Sequence, residues 1–434
     1  MSLIPNIPNE MLLSVVLGGT LLSILSFYVI GLGRKIEGKD SRYYKVFSER
    51  LWIKSPLLKS EWLSQAMGDD CRVNVKLEAL QPSGSFKIRG ISTFMKQQYA
   101  LNANIDTFIT TSSANAGMAV AYTAQKLNCK CLVILDKTQN SNELLPVFAD
   151  QYHAKIEFHG NTWNEADEYA LRLVGAADDD QEQQASARKH ANYCYVPMYD
   201  NVAIFNGHSS IISELADDYA DGLGGDNDIY PDCIVVSVGG GGLLTGILSG
   251  LFQVGWSRQV KIVAAQCENS ALYEAGKQNS FEPVPTKCIS SEGVDLGYRA
   301  ICKKAMTFGQ KFESFNPIKS MLVRDEDALS ICTLFAKNHH VVIEPLCGVA
   351  IAALYNNREY FKQFKNICVI VCGGNHIYFQ HETVEQLVGV QNFASVTDEE
   401  EDEEKKDESD VFDAHDEDDD VDDIDHYDSD AEDI

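Results

Sequence analysis

"CIVVSVGGGGLLTGIL", Cys233–Leu248, joins an unbroken β-branched run to four glycines and then to a periodic apolar stretch. The first run reads as a strand buried on both faces, and the second as a helix. Gly239, Gly240, Gly241 and Gly242 therefore sit where a strand hands over to a helix. Four consecutive glycines cost chain entropy, and the use that justifies them is close approach of the backbone to a ligand. Amide N–H groups at a helix amino terminus suit an anion such as a phosphate. Two nucleotide patterns fail: the dinucleotide fingerprint counted from Gly239 meets Leu244 where it needs glycine, and the Walker pattern lacks its Gly-Lys. A flexible turn is the plain alternative, opposed by the strong patterning on both flanks.

The same alternation runs along the chain. "KCLVIL" (130–135), "AKIEFHG" (154–160), "VKIVAAQ" (260–266) and "NICVIVCGG" (366–374) read as buried strands, most followed by amphipathic helices. "FITTSSANAGMAVAYTAQKL" (108–127) reads as a strand end, a polar loop and a helix. Such spacing predicts α/β architecture, with mainly parallel sheets covered on both faces. Ligands in open α/β sheets collect beyond the carboxyl ends of the strands. "TSSANAG" (111–117) lies at such an end: its hydroxyls suit either a helix cap or a carboxylate site. "VCGGNHI" (371–377) is a third strand-to-glycine transition, with Cys372 at its tip.

"QPSGSFKIRG" (81–90) places one lysine, Lys87, after a turn-forming run and beside apolar neighbours. A turn-presented lysine, a glycine anion loop and a hydroxyl-rich loop together suggest a lysine holding an aldehyde cofactor whose phosphate sits on the glycines.

Composition bounds the rest. The 434 residues, 45% hydrophobic, suffice for one large or two ordinary domains. The net charge of −28 is uneven: residues 398–434 hold 23 acidic side chains against Lys405 and Lys406. That tail has too few apolar residues to offset chain entropy and reads as disordered. It suits a solubilising role, docking of a basic partner, or regulation through Ser409 and Ser429. No nucleic-acid partner is expected. The segment Met11–Gly33 carries no charge over 23 residues. It is long enough to span a hydrocarbon layer of about 30 Å. Arg34 and Lys35 follow it, which predicts a single-pass anchor with the bulk of the chain facing the cytosol, on a membrane such as the endoplasmic reticulum or mitochondrial outer membrane. The twelve cysteines follow no zinc spacing and most lie in apolar runs, which fits a reducing compartment; no metal ligand set is expected. The patch 176–193 reads as a surface loop, Cys347 as core packing, and His339 and His340 as ordinary polar residues near a helix end.

On "SPLLKS" (55–60), "LEALQPSGSFKIRG" (77–90), "TSSANAGMAVAYTAQKL" (111–127), "GHSSI" (207–211), "VSVGGGGLLTGILSGL" (236–251), "IEPLCGVAIAALY" (343–355) and "VIVCGGNHI" (369–377), the chain resembles the pyridoxal-phosphate-dependent L-serine/L-threonine dehydratases of fold type II, the tryptophan-synthase-β group. The likeness covers roughly Lys45 to His381. It implies a large cofactor-binding domain (45–78 and 203–392), a small substrate domain (79–202) and a cofactor in the cleft between them, with residues 1–10, 34–44 and 393–434 as extension, linker and tail. It implies conversion of L-serine to pyruvate and ammonia, with L-threonine giving 2-oxobutanoate, in a homodimer. By matching position, Lys87 would bind pyridoxal phosphate covalently, Phe86 would pack on its ring, Gly239–Gly242 with Leu243 would hold its phosphate, and Cys372 would face the ring nitrogen. Ser112, Ser113, Ala114, Asn115 and Ala116 would form the substrate-carboxylate loop, Asn115 also reaching the phenolic oxygen. Two positions depart from the family's pattern: Ala114 replaces a glycine, and Gln266 replaces a glutamate that helps bind a monovalent cation. The rival readings are β-replacement or serine racemisation on the same fold, and a scaffold that has lost its chemistry.

Overall fold

The computed structural model describes residues 49–68, 70–112, 115–138, 146–175, 192–225, 228–284 and 300–375. The expected anchor at 11–33, the linker, the acidic tail, Ser113 and Ala114 lie outside them, as does nearly all of the patch 176–193. Among the described residues no helix is long and apolar enough to cross a membrane.

Ten strands form two sheets among these residues. The larger has the spatial order β1 (Leu57–Lys59), β2 (Arg72–Leu77), β10 (Asn366–Val371), β7 (Cys233–Ser237), β8 (Lys261–Cys267) and β9 (Ile318–Val323). The smaller has the order β5 (Lys155–Phe158), β4 (Lys130–Leu135), β3 (Thr107–Thr110) and β6 (Tyr193–Tyr195). Every pairing is parallel except that of β1 with β2. The helices are α1 (Glu61–Met67), α2 (Lys87–Leu101), α3 (Asn115–Lys126), α4 (Trp163–Leu173), α5 (Val202–Ala220), α6 (Gly242–Gln253), α7 (Leu272–Gln278), α8 (Lys303–Glu313), α9 (Asp325–His339), α10 (Pro345–Asn356) and α11 (Arg358–Phe361).

β7 and β10 are buried at every position, which is why they are continuous apolar runs rather than alternating ones. The sequence pattern shows none of β1, β2, β6 and β9 as strands, and Tyr193, at the end of the expected surface loop, begins β6. In β2, Asn74 and Lys76 interrupt the apolar pattern although both are buried. Lys76 Nζ donates to Asp218 at 2.8 Å and to the Ser55 carbonyl at 2.7 Å, and Asn74 Nδ2 donates to the Gly224 carbonyl at 2.9 Å. Their partners lie far along the chain.

The helix that carries Lys87 is fastened to the larger sheet by α5. A Cβ on Gly207 would lie 2.3 Å from the Arg89 carbonyl oxygen, so only glycine allows α5 to lie this close to α2. Beneath the same crossing, Arg89 is fully buried between two carboxylates. Its Nε and Nη2 meet Glu78 at 2.6 and 2.7 Å, and its Nη1 and Nη2 meet Glu214 at 2.7 Å each. This doubly bidentate arrangement fixes α2 two residues beyond Lys87.

Gln266 has a structural task. Its Oε1 accepts from the backbone N–H groups of Tyr273 and Glu274 at 2.6 and 3.3 Å, while Nε2 donates to Ser320 Oγ at 2.9 Å. Ala271 gives α7 no capping side chain, and Gln266 supplies the cap from the neighbouring strand. Gln266→Leu is expected to destabilise the protein by about 1–3 kcal/mol, seen as a lower urea midpoint at unchanged slope.

Candidate active site

Lys87 reaches its place because two distant segments pair. Phe86 N donates to the Cys372 carbonyl at 2.9 Å, Gly374 N donates to the Gly84 carbonyl at 2.9 Å, and Ser85 bridges to Gly373. The turn before α2 is thereby pinned against the end of β10. Lys87 is the first residue of α2 and is buried, its Nζ donating to the Met198 carbonyl at 3.1 Å. Phe86 and Tyr199 present their rings at 5.4 and 5.7 Å from Nζ. Burial lowers the Lys87 pKa to about 8, against the opposing pull of Cys372, Glu344 and Cys302.

Lys87 lines a cavity together with Asn115, Tyr199, the glycine loop, Glu344 and Cys372. Gly241 caps α6 in the left-handed region, φ +89°, and a Cβ there would lie 2.6 Å from Ala305 Cβ. Glycine is thus required twice over, by dihedral and by space. Because Gly241 has no capping side chain, the first N–H groups of α6 are left to whatever occupies the cavity. Such a cradle suits a phosphate.

Ser112 and Asn115 stand at the entry of α3 and Ala116 in its first turn, all three buried; of these only Asn115 lines the cavity with the glycines. Thr111 is braced from α4, its Oγ1 donating to Asp167 at 2.8 Å while Trp163 Nε1 donates to its carbonyl at 3.1 Å. Asn115 Nδ2 lies 2.9 and 2.7 Å from the two oxygens of Glu344, and its Oδ1 accepts from Asn375 at 2.8 Å. Glu344 was not identified from the sequence. In "IEPLCG" it looks like an ordinary residue before the proline of a helix start, and its partner is 229 positions away.

Cys372 Sγ, at the end of β10, lies 3.5 Å from Ser237 Oγ, 3.3 Å from Cys347 Sγ and 3.9 Å from Glu344 Oε1. Burial drives the Cys347 thiol well above its ordinary pKa, so it is protonated at neutral pH. His208 packs its ring 4.8 Å from that of Phe86; burial first, then Lys87 and Arg89, hold its pKa well below the usual value. It is a neutral packing residue behind the cavity. His339 stacks on Phe335 and bonds Ser60 at 3.0 Å, and it does not line the cavity.

The described residues fit pyridoxal phosphate: a buried, weakened lysine shares one cavity with an uncapped glycine cradle and the Cys372 thiol. Comparisons with known proteins agree. The chain is 32% identical to an L-serine dehydratase of Dictyostelium discoideum over 77% of its own length and 93% of that protein's. It is 30% identical to the human L-serine dehydratase/L-threonine deaminase over 79% and 98%. It superposes on a fungal L-serine ammonia-lyase from Rhizomucor miehei with a TM-score of 0.64 at 26% identity, covering 78% of this chain and all of that one. A model of the pyridoxal-phosphate-dependent enzymes matches residues 49–373, and with the lysine, the glycine cradle and the two mainly parallel sheets in place, the chain belongs to that family in its fold type II form.

Proposed function

We propose that the protein is an L-serine ammonia-lyase that also accepts L-threonine, releasing ammonia with pyruvate or 2-oxobutanoate. One observation carries this reading: Lys87, weakened by burial, shares a cavity with a glycine cradle and a thiol, Cys372, in place of a carboxylate. When bound, pyridoxal phosphate supplies an aldehyde for the substrate's amino group and a ring that accepts electron density from Cα. The rest is the work of the chain. Lys87 would hold the cofactor and, when free, would take the Cα proton at Nζ. Gly239–Gly242 and Leu243 would hold the phosphate through backbone N–H groups, and Phe86, which lines the same cavity, would pack against the ring. Ser112, Ser113, Ala114, Asn115 and Ala116 hold the substrate carboxylate. Asn115, oriented by Glu344 and Asn375, also serves the phenolic oxygen. With Cys372 rather than a carboxylate facing it, the ring nitrogen would lack a strong counter-charge, which would favour prompt loss of the β-hydroxyl over transamination.

Purified protein supplied with pyridoxal phosphate should form keto acid from L-serine. Net formation of D-serine or of a β-substituted alanine, without keto acid, would overturn the assignment in favour of racemisation or β-replacement. An intact cofactor absorption band without turnover of any amino acid would favour the scaffold. Gly241→Val is expected to weaken cofactor affinity at least tenfold and to cost about 1–3 kcal/mol of stability, checked by cofactor titration and urea unfolding. We also infer a homodimer, held to a membrane by Met11–Gly33 with its catalytic part facing the cytosol, and an acidic tail available to a basic partner. The absence of charge over residues 11–33 supports the anchor and the acidity of residues 398–434 supports the tail's role, while the homodimer rests on the family resemblance alone. Retention in the membrane fraction after alkaline wash, lost on deletion of residues 1–33, is the expected result.

A further inference from the structure

We propose that Cys347, Cys372 and Glu344 form a binding site for a thiophilic divalent cation of the zinc and cadmium class, and that filling this site excludes the cofactor. The three ligand atoms lie within 4.8 Å of one another, and all three residues are buried. The two sulfurs are 3.3 Å apart, and Cys372 Sγ is 3.9 Å from Glu344 Oε1. A tetrahedral zinc ion with bonds of about 2.3 Å to sulfur and about 2.1 Å to oxygen needs sulfurs about 3.8 Å apart and sulfur about 3.6 Å from oxygen. These two spacings need changes of about half an ångström or less, and the third, Cys347 Sγ to the Glu344 carboxylate, must close from within 4.8 Å to about 3.6 Å, which a turn of the Glu344 side chain supplies.

The ligands stand on firm supports. Glu344 and Cys347 flank the start of α10, and Cys372 ends the central strand β10. Neighbours that would orient them are present: Asn115 on Glu344, the Gly373 N–H on Cys347 Sγ at 3.0 Å, and Ser237 near Cys372. Glu344 and Cys372 line the cavity while Cys347 lies behind them, so the fourth position opens toward the cavity. Thiolate ligands select zinc or cadmium over magnesium or calcium. Coordination releases the thiol protons to solvent and forms two metal–sulfur bonds without any change of oxidation state. Exclusion of the cofactor rests on the reading above that the ring nitrogen lies against Cys372; the metal site itself does not.

The test uses the full-length protein freed of cofactor, titrated with cadmium chloride and followed by the ultraviolet thiolate-to-metal charge-transfer band. One equivalent should saturate the band, and Cys347→Ser should abolish it while retaining the cofactor band and turnover when pyridoxal phosphate is supplied. Cys347→Ala serves as a second variant should the serine not fold. That equivalent of cadmium should slow cofactor uptake at least tenfold in the wild type and leave the variant unaffected. No band, or an equal band in the variant, overturns the site. A band lost in the variant together with unhindered cofactor uptake supports the site and overturns the placement of the ring on Cys372.

Discussion

Lys87→Ala removes both the cofactor absorption band and keto-acid formation, with turnover falling by about three orders of magnitude or more, while circular dichroism shows the fold retained. No other described amine stands in the cavity. Because burial brings Lys87 to about 8, roughly one amine in ten is neutral at pH 7, against fewer than about one in a thousand for an exposed lysine. Uptake of pyridoxal phosphate by the cofactor-free protein should therefore quicken as pH rises and level off above about 8. The same shift acts on stability. The folded pKa lies below the ordinary 10.5, so between about 8 and 10.5 the unfolded chain binds more protons than the folded one. Stability of the cofactor-free protein rises with pH through that window, and below it the buried ammonium is a cost. In Lys87→Ala that dependence disappears, which urea unfolding at pH 7 and pH 10 measures. A variant that kept its turnover would remove Lys87 from the mechanism.

Arg89→Met is expected to destabilise the protein by about 3–5 kcal/mol, the largest loss anticipated for a single substitution. The cost is what remains: Glu78 and Glu214 keep their buried carboxylates with no guanidinium between them, although Lys76 stays 3.5 Å from Glu214. Adding Glu78→Gln to Arg89→Met should recover part of the loss, and the recovery distinguishes stranded charge from lost packing. Arg89→Lys cannot span both carboxylates in bidentate fashion and should fall between the two. Denaturant midpoints read all three. Recovery of full stability in Arg89→Met alone would show the network to be neutral.

Legibility in the sequence followed the range of the interaction. Strands such as Lys130–Leu135 and Asn366–Val371 show themselves because burial on both faces demands local runs of valine and isoleucine. The strand–glycine–helix hand-over is equally local, since Gly241 needs its residue type for its own dihedral. Strand β2 stayed hidden because the side chains that pair with Asn74 and Lys76, Asn366 and Asp218, lie 292 and 142 positions onward. Glu344 and Arg89 stayed hidden for the same reason: a buried carboxylate or guanidinium looks exposed until its partners are placed. Gln266 was legible as a departure from the family's pattern but not as the cap that α7 requires.

The strand at the middle of the larger sheet is also the last strand among the described residues. β10 lies between β2 and β7, and Val371 pairs with Leu77 across most of the described sequence. During synthesis β2 and β7 emerge long before the strand that joins them, each with one edge unfilled. A chain stopped short of Asn366 would therefore leave two facing half-sheets prone to aggregate, whereas the loss of an edge strand would merely trim the sheet. The arrangement also sets a clock: Cys372 and the Gly373 backbone that pins the turn before Lys87 arrive only with this final strand, so no nascent chain can carry a finished catalytic cavity.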